Sequence, residues 1–464
     1  MSREIALMPA TELLRRYRDR SLSPVEATKA ALARIDALNG KLNAYCLVDA
    51  DSALKSARES EARWQKGAPR GPLDGVTASI KDLILTTGWS TRRGSHAIDP
   101  KGPWNEDAPV TARLKEAGAV LLGKTTTPEF GWKGVTDSPL TGITRNPWNP
   151  DTTPGGSSGG AAVAAATGMG ALHVGTDGGG SIRIPAGFTG IVGFKQNFAR
   201  VPAHPLSPFG TVSHAGPMTR TVADAALMFS VICAPDDRDW YAITRKAEDW
   251  TTGLSGGVKG WRIAWSATMG GQKVDPEIAA LCETAAMRFR DLGAQVEAVD
   301  PPIGDCRQTF KRHWFTGAAN LLRAFSAEQQ ARMDPGLVEV AREGAQLGLL
   351  DYFTAVKERE QLGVAMNRFH ADYDLLLTPT LPLPAFEAGV EFPRRGDASR
   401  WTDWTPFSYP FNLTQQPAIS VPCGFTKVGL PAGLQIVGRN WDDARVLQAA
   451  HAFEQVQPFR MPDL

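Results

Sequence analysis

Apolar positions between residues 25 and 38 fall at the spacing of one helix face. The stretch that opens them, Ser23-Pro24-Val25-Glu26, is a capping box with proline at the first helical position. Residues 1–70 are therefore expected as a helical region packed on the rest. From about Gly75 the pattern changes to short apolar runs bounded by glycine, at 76–80, 119–122, 171–174 and 191–194, which alternate with helical stretches. That alternation predicts an α/β fold in which a large mixed, mostly parallel twisted sheet carries helices on both faces. A polar, glycine-rich stretch at 248–259 is the one candidate surface linker. Beyond it Asp275 caps a helix reaching Leu292, and 295–299, 374–377, 418–421 and 433–437 read as strands. Because the strand pattern resumes, residues 71–464 are expected to form one domain around a shared sheet. No internal repeat interrupts it.

Composition narrows the partners more than the fold. The 464 residues hold 50 Lys+Arg against 49 Asp+Glu, a net charge of +1, so there is no basic field for a phosphate backbone or anionic lipid. Neither nucleic acid nor a membrane is an expected partner, while a homodimer stays compatible with the chain. Cys46, Cys233, Cys282, Cys306 and Cys423 stand far apart with no C-x-x-C pair, which argues against a disulfide framework and a zinc site. The first twenty residues place Glu4, Glu12 and several arginines where a signal peptide needs a continuous apolar core. A reducing cytoplasm is the expected compartment. The longest uncharged run, 152–176, carries Pro154 and many Gly, Ser and Ala where a membrane span needs about 20 strongly apolar residues. It reads as a buried loop and helix.

Three motifs compete for the chemistry. Gly118 to Thr125 fits the phosphate-loop pattern G-x-x-x-x-G-K-[ST], which would make the protein a nucleotide binder. Its intervening residues 119–122 are themselves an apolar strand, however, and Pro128 removes an N–H where the following helix should begin. Gly155-Gly156-Ser157-Ser158-Gly159 satisfies the nucleophile elbow G-x-S-x-G, yet residues 150–154 give no strand to lead into it. The histidine such a site needs near the C-terminus would be His451, which belongs to an amphipathic helix pattern with Val446, Leu447, Ala450 and Phe453. The third is Asp177-Gly178-Gly179-Gly180-Ser181, where three glycines free successive N–H groups to converge on one point and a serine follows. Alone it would read as a flexible turn with a capping serine.

It is not alone. The paired serines Ser157 and Ser158, a second serine loop 24 positions later at Ser181, and the upstream Ser79-Ile80-Lys81-Asp82 together resemble the amidase signature family, over most of the chain. The resemblance implies the amidase signature fold and an amide hydrolase that needs no cofactor and no metal, acting on a small-molecule amide. It implies Ser181 as the acyl-forming nucleophile, Ser157 as a bridging serine reached through a cis peptide, and Lys81 as the ultimate base. Gly178, Gly179 and Gly180, with Ser181, match the family's oxyanion hole, and Ser158, Asp177 and Arg183 its supporting network. The chemistry is sensible from below: serine needs a neighbour to take its proton, so a lysine that titrates near 10.4 when free must be held neutral by burial.

Substrate loops of the family match the regions around Phe130, Trp132, Trp314 and Trp404, with Phe315 and Phe407 nearby. This aromatic set suits an apolar or aryl acyl amide. A second member of the family, the glutamine-hydrolysing A subunit of tRNA-dependent amidotransferases, shares the signature. There an Asp stands seven positions before the residue matching Asn412, and this chain has Thr405; Arg359 does match that subfamily's carboxylate-binding arginine. A nucleotide-binding or non-catalytic scaffold protein is the reading of a different class, against which the intact Lys81, Ser157 and Ser181 speak.

Overall fold

The computed structural model describes residues 2–243, 248–394 and 396–464. Among them are the strands β1 (Tyr45–Val48), β2 (Thr77–Lys81), β3 (Val120–Thr125), β4 (Asp137–Ser138), β5 (Gly142–Ile143), β6 (Leu172–Asp177), β7 (Val192–Lys195), β8 (His214–Thr219), β9 (Arg262–Trp265), β10 (Gln295–Ala298), β11 (Leu375–Pro379), β12 (Ala418–Phe425) and β13 (Pro431–Gly438). β4 and β5 form a small hairpin, and the other eleven make one sheet in the order β1-β3-β2-β6-β8-β7-β12-β13-β11-β9-β10. The pairing of β7 with β12 joins strands from before and after 248–259 in that sheet.

Both faces of the sheet are covered. Leu375 and Leu377 of β11 enter one core while Leu376 enters the other, and Ile419 and Val421 of β12 oppose Ala418 in the same way. The helices Val222–Ile232, Pro276–Asp291 and Asp443–Val456 pack on the first face; Arg183–Thr189, Arg307–Leu322 and Leu349–Asp372 pack on the second. A strand buried on both sides reads as an unbroken apolar run, which is why β2, β3, β6, β7, β11, β12 and β13 are visible in the sequence, while β10, at the sheet edge with only Val296 buried, is visible by its place after the helix that Asp275 caps.

The sheet is mixed as expected, but parallel pairing is confined to β3-β2-β6 and β11-β9-β10. The other six neighbouring pairs among the described residues are antiparallel, a larger share than alternating strands and helices predict. Two features cause this. β12 and β13 are consecutive and joined by a tight turn at 426–430, and β8 slots antiparallel between β6 and β7. β8 escapes sequence reading because its His-Ala-Gly-Pro-Met-Thr has no apolar run and places Pro217 opposite Val174 in mid-sheet, where proline normally argues against a strand. β1 lies within the stretch expected to be helical and pairs with β3 at the sheet edge.

The remaining local expectations resolve cleanly. Ser23 and Glu26 close the capping box of the helix Pro24–Leu42. The stretch 248–259 is fastened to the core: the Trp250 ring packs 4.7 Å from that of Phe229 and its Nε1–H donates to Cys233 Sγ. Lys124 and Thr125 lie inside β3, and Lys124 Nζ donates to Ile84 O at 2.7 Å and Thr91 Oγ1 at 2.6 Å, so the G-x-x-x-x-G-K-T match is a strand and not a phosphate loop. The uncharged run contributes the helix Gly159–Thr167, every residue of which is buried. Its small side chains are required: a Cβ at Gly160 would stand 2.5 Å from Ala44 O and from Thr126 N.

Candidate active site

Two loops and the end of β2 meet at the carboxyl ends of the parallel strands β2 and β6, the usual place for a site in an α/β sheet. Lys81 is the last residue of β2. The loop ending in Ser157 and Ser158 leads into the helix Gly159–Thr167, and the glycine turn 178–181 connects β6 to the helix Arg183–Thr189. Lys81 Nζ lies 2.7 Å from Ser157 Oγ, 2.8 Å from Ser158 Oγ and 2.9 Å from Thr176 Oγ1. The Gly156–Ser157 peptide bond is cis, and Gly156 is close enough to the Val135 backbone that a Cβ would stand 2.4 Å from its carbonyl carbon.

Lys81 is fully buried. Burial pushes its ammonium well below the ordinary lysine range, against the opposing pull of the Asp177 carboxylate. Its proton geometry can be followed through its neighbours. Ser158 Oγ donates to Thr176 O at 3.1 Å, so the contact between Lys81 and Ser158 must use a lysine N–H. Asp82, its sequence neighbour, is not its partner: that carboxylate stands 3.8 Å from Lys124.

The glycine turn owes its shape to Asp177. Its carboxylate accepts from Gly180 N at 2.8 Å and Ile182 N at 3.2 Å, and pairs with Arg183 through Nε at 3.0 Å and Nη2 at 2.9 Å. Arg183 also donates to Ser408 O, Gln435 Oε1 and Asn412 Oδ1. Burial alone would raise the Asp177 pKa; the Arg183 guanidinium overcomes it and holds the carboxylate well below its usual range. Both partners are wholly buried, so removing one leaves an uncompensated charge. Arg183→Leu should cost about 3–5 kcal/mol of stability, read from the shift of a urea denaturation midpoint.

Not all of the expected oxyanion donors are free. Gly180 N–H is committed to Asp177 and braces the turn, so Gly180 drops out of the donor set. The N–H groups of Gly178, Gly179 and Ser181 make no hydrogen bond among the described residues. Glycine is needed throughout: a Cβ at Gly178 would meet Trp314 at 2.7 Å, one at Gly179 Phe310 at 2.7 Å, and one at Gly180 would clash with Ser408 Oγ well inside van der Waals contact, with φ of +122° besides.

Ser157, Ser181, Gly178 and Thr176 line one cavity of about 240 Å³. Ser157 and Ser181 make no direct hydrogen bond to each other there among the described residues. The walls are largely apolar, with Leu83, Ile84, Phe130, Val201, Phe209 and Trp314 prominent. Phe130 and Trp314 thus stand where the sequence put them, the Trp314 ring stacked on Phe209 at 3.7 Å. Trp132 and Trp404 do not line it. Trp132 is buried behind the wall, its carbonyl accepting from Trp314 Nε1, and Trp404 is buried in a stack 6.0 Å from Phe188. Phe315 and Phe407 are core residues as well.

Several residues of the site had no local signal. Thr176 completes the contacts of Lys81, and Ser408, Asn412 and Gln435 reach Arg183 from more than 200 residues away. Much of one cavity wall comes from the irregular stretch 198–215, whose proline-rich apolar sequence has no period to betray it. His214 also borders the cavity, but its Nδ1 faces the carbonyls of Asp177 and Val212, and burial pushes it well below the ordinary histidine range. Arg359 does not line the cavity itself but donates to Leu413 O and to Oγ1 and O of Thr211, which does. Thr405 is buried and donates to Trp401 O.

Comparison with known proteins adds to this geometry. A family model described as Amidase matches residues 26–447. An acylamidase of Rhodococcus erythropolis is 38% identical, over 97% of this chain and 96% of its own length. The A subunit of the glutamyl-tRNA(Gln) amidotransferase of Myxococcus xanthus is 37% identical, over 94% of each. Among solved structures, a bacterial aryl acylamidase of the amidase signature family superposes with a TM-score of 0.90 at 31% identity, covering 97% of this chain and 96% of that one.

Proposed function

This chain belongs to the amidase signature family and is an amide hydrolase, and from that premise we propose that it cleaves an apolar or aryl acyl amide through an acyl-Ser181 intermediate. The observation that carries the proposal is a buried lysine hydrogen-bonded to Ser157 at the edge of the cavity that also bears Ser181. With Lys81 neutral and one N–H given to Ser158, its lone pair accepts the Ser157 hydroxyl proton. Ser157 then takes the proton of Ser181 as Ser181 Oγ bonds to the amide carbonyl carbon. The N–H groups of Gly178, Gly179 and Ser181 receive the developing oxyanion. Ser157 returns a proton to the leaving nitrogen as the C–N bond breaks, and water, deprotonated by the same relay, releases the acid from Ser181. Asp177 and Arg183 hold the turn in shape and Ser158 holds Lys81; none of the three exchanges a proton with substrate.

The apolar walls, the resemblance to acylamidases and the pocket position of Phe130 and Trp314 support an apolar acyl or aryl substrate. Similarity to the glutamine-hydrolysing components of amidotransferases supports glutamine instead. Glutamine, however, presents an ammonium, and Thr405, which stands where the amidotransferase subunit carries an Asp, is uncharged and donates to Trp401 O. An unpaired charge in such a site costs on the order of 1 to 3 kcal/mol or more. The purified chain, without partner subunits, should therefore hydrolyse 4-nitroacetanilide with much higher kcat/KM than glutamine, both measured on one preparation. Glutaminase activity that emerged only on adding amidotransferase partner subunits, with anilides untouched, would install the second reading.

A further inference from the structure

Arg93 stands in the wall of the same cavity, with Leu83, Ile84 and Phe130. It is half-buried, and its guanidinium makes no hydrogen bond or ion pair among the described residues. A half-buried guanidinium gives up part of its hydration, and with no protein acceptor its N–H donors are left to whatever occupies the cavity. Its one electrostatic neighbour does not resolve this. Asp82 lies closer to Lys124, and accepts from the backbone N–H groups of Arg92 and Gly94 at 3.2 and 3.3 Å. Two cations therefore share one carboxylate, and the surplus positive charge belongs to the residue in the cavity wall.

The backbone around Arg93 is built to hold it there. Arg93 and Phe130 both adopt the left-handed conformation, with φ of 55° and 51°, and Phe130 N donates to Arg93 O at 2.8 Å. Non-glycine residues are strained in this region, and two of them bonded to each other in one cavity wall point to a functional constraint. The other charges of the cavity are occupied. Asp239 accepts from Ala203 N and Tyr241 N, one on each oxygen, and His204 at the rim faces Glu106.

We propose that Arg93 binds an anionic group, a carboxylate above all, carried by the amide substrate, so that the preferred substrates are amides with an apolar or aryl body and an acidic function on it. The inference rests on reading the Ser181 cavity as an amidase site. A carboxylate matches the guanidinium fork with two parallel hydrogen bonds and cancels the surplus charge. The acidic function can belong to the leaving amine or to the acyl part, and matched substrates separate these: 4-acetamidobenzoate against 4-methylacetanilide, and succinanilate against butyranilide.

In the wild-type enzyme at least one acidic member should exceed its neutral match in kcat/KM by about tenfold or more, mostly through KM. In Arg93→Gln that ratio should collapse towards one, and Arg93→Lys should recover part of it. A wild-type ratio near one in both pairs overturns the proposal, as does a ratio that Arg93→Gln leaves unchanged. Should Arg93→Gln fail to fold, the wild-type ratios decide by themselves. If no anilide is hydrolysed, it is the apolar or aryl acyl amide reading of the Ser181 cavity that fails. Calorimetric titration with benzoate against benzamide then tests Arg93 alone: preferential benzoate binding that Arg93→Gln abolishes supports the site, and equal binding of the two overturns it.

Discussion

Replacing Ser181 with alanine should lower kcat for an anilide by on the order of 10⁴- to 10⁶-fold, the loss seen when the nucleophile of a proton relay is removed. At about 1.4 kcal/mol per factor of ten, this is a change of several kcal/mol in the barrier with no matching change in the fold. Fold and chemistry separate here because Ser181 Oγ makes no hydrogen bond among the described residues. The structural duty of the residue is carried by its carbonyl, which accepts from Ser158 N at 3.1 Å and survives the substitution. Thermal unfolding of Ser181→Ala should therefore match wild type. A fluorophosphonate probe should label the wild-type chain on the peptide containing Ser181 and leave the variant unlabelled. Turnover within tenfold of wild type in purified Ser181→Ala would sink the assignment.

Lys81 gives the second large effect, and its sign with pH is fixed by burial. The folded chain holds its ammonium well below the usual lysine range. Between that lowered value and about 10.4, the unfolded chain binds a proton that the folded one does not, so this residue makes stability rise with pH across the window. Activity has the same direction: it should fall on acidification through a single ionisation, as Lys81 gains a proton and loses the lone pair that serves Ser157. It should persist into alkaline solution. Lys81→Met, which fills the same buried volume without a charge, should fold and be inactive, with kcat lowered by on the order of 10³-fold or more. Lys81→Arg should be equally inactive, since a guanidinium does not deprotonate in this range. A pH–rate profile for Lys81→Arg that overlays the wild type would remove Lys81 from its role as base.

What could be read in the sequence follows how far each signal reaches along the chain. Ser157 and Ser181 were legible as candidates because each sits in a loop whose own residues declare its geometry, glycines on either side of Ser157 and three before Ser181, whereas Lys81, at the end of a strand, stood out only through the resemblance that joins it to the two serine loops. Seven strands with apolar runs were legible because burial on both faces removes the polar positions, and the edge strand β10 only by its place after a capped helix. β8 was not, since Gly216 and Pro217 are placed by close packing between β6 and β7 and carry no local pattern. Trp132 and Trp404 were misplaced because an aromatic residue one layer behind a wall has the same sequence signature as one in it. Gly180 differs from Gly178 in its positive φ and in facing the Asp177 carboxylate, which no spacing encodes. Arg93 gave no signal at all, because its distinction is the absence of a partner in three dimensions.

The clamp on the glycine turn has a consequence for how the enzyme comes into being. Asp177 and Arg183 are made early, but the groups that hold Arg183 in place, Ser408, Asn412 and Gln435, follow it by 225, 229 and 252 residues. A nascent chain that has already exposed Lys81, Ser157 and Ser181 still lacks the far anchors of the turn that aims the nucleophile. A fragment cut before Ser408 keeps Lys81, Ser157 and Ser181 but loses those anchors, and it should show no anilide hydrolysis when assayed beside the full chain.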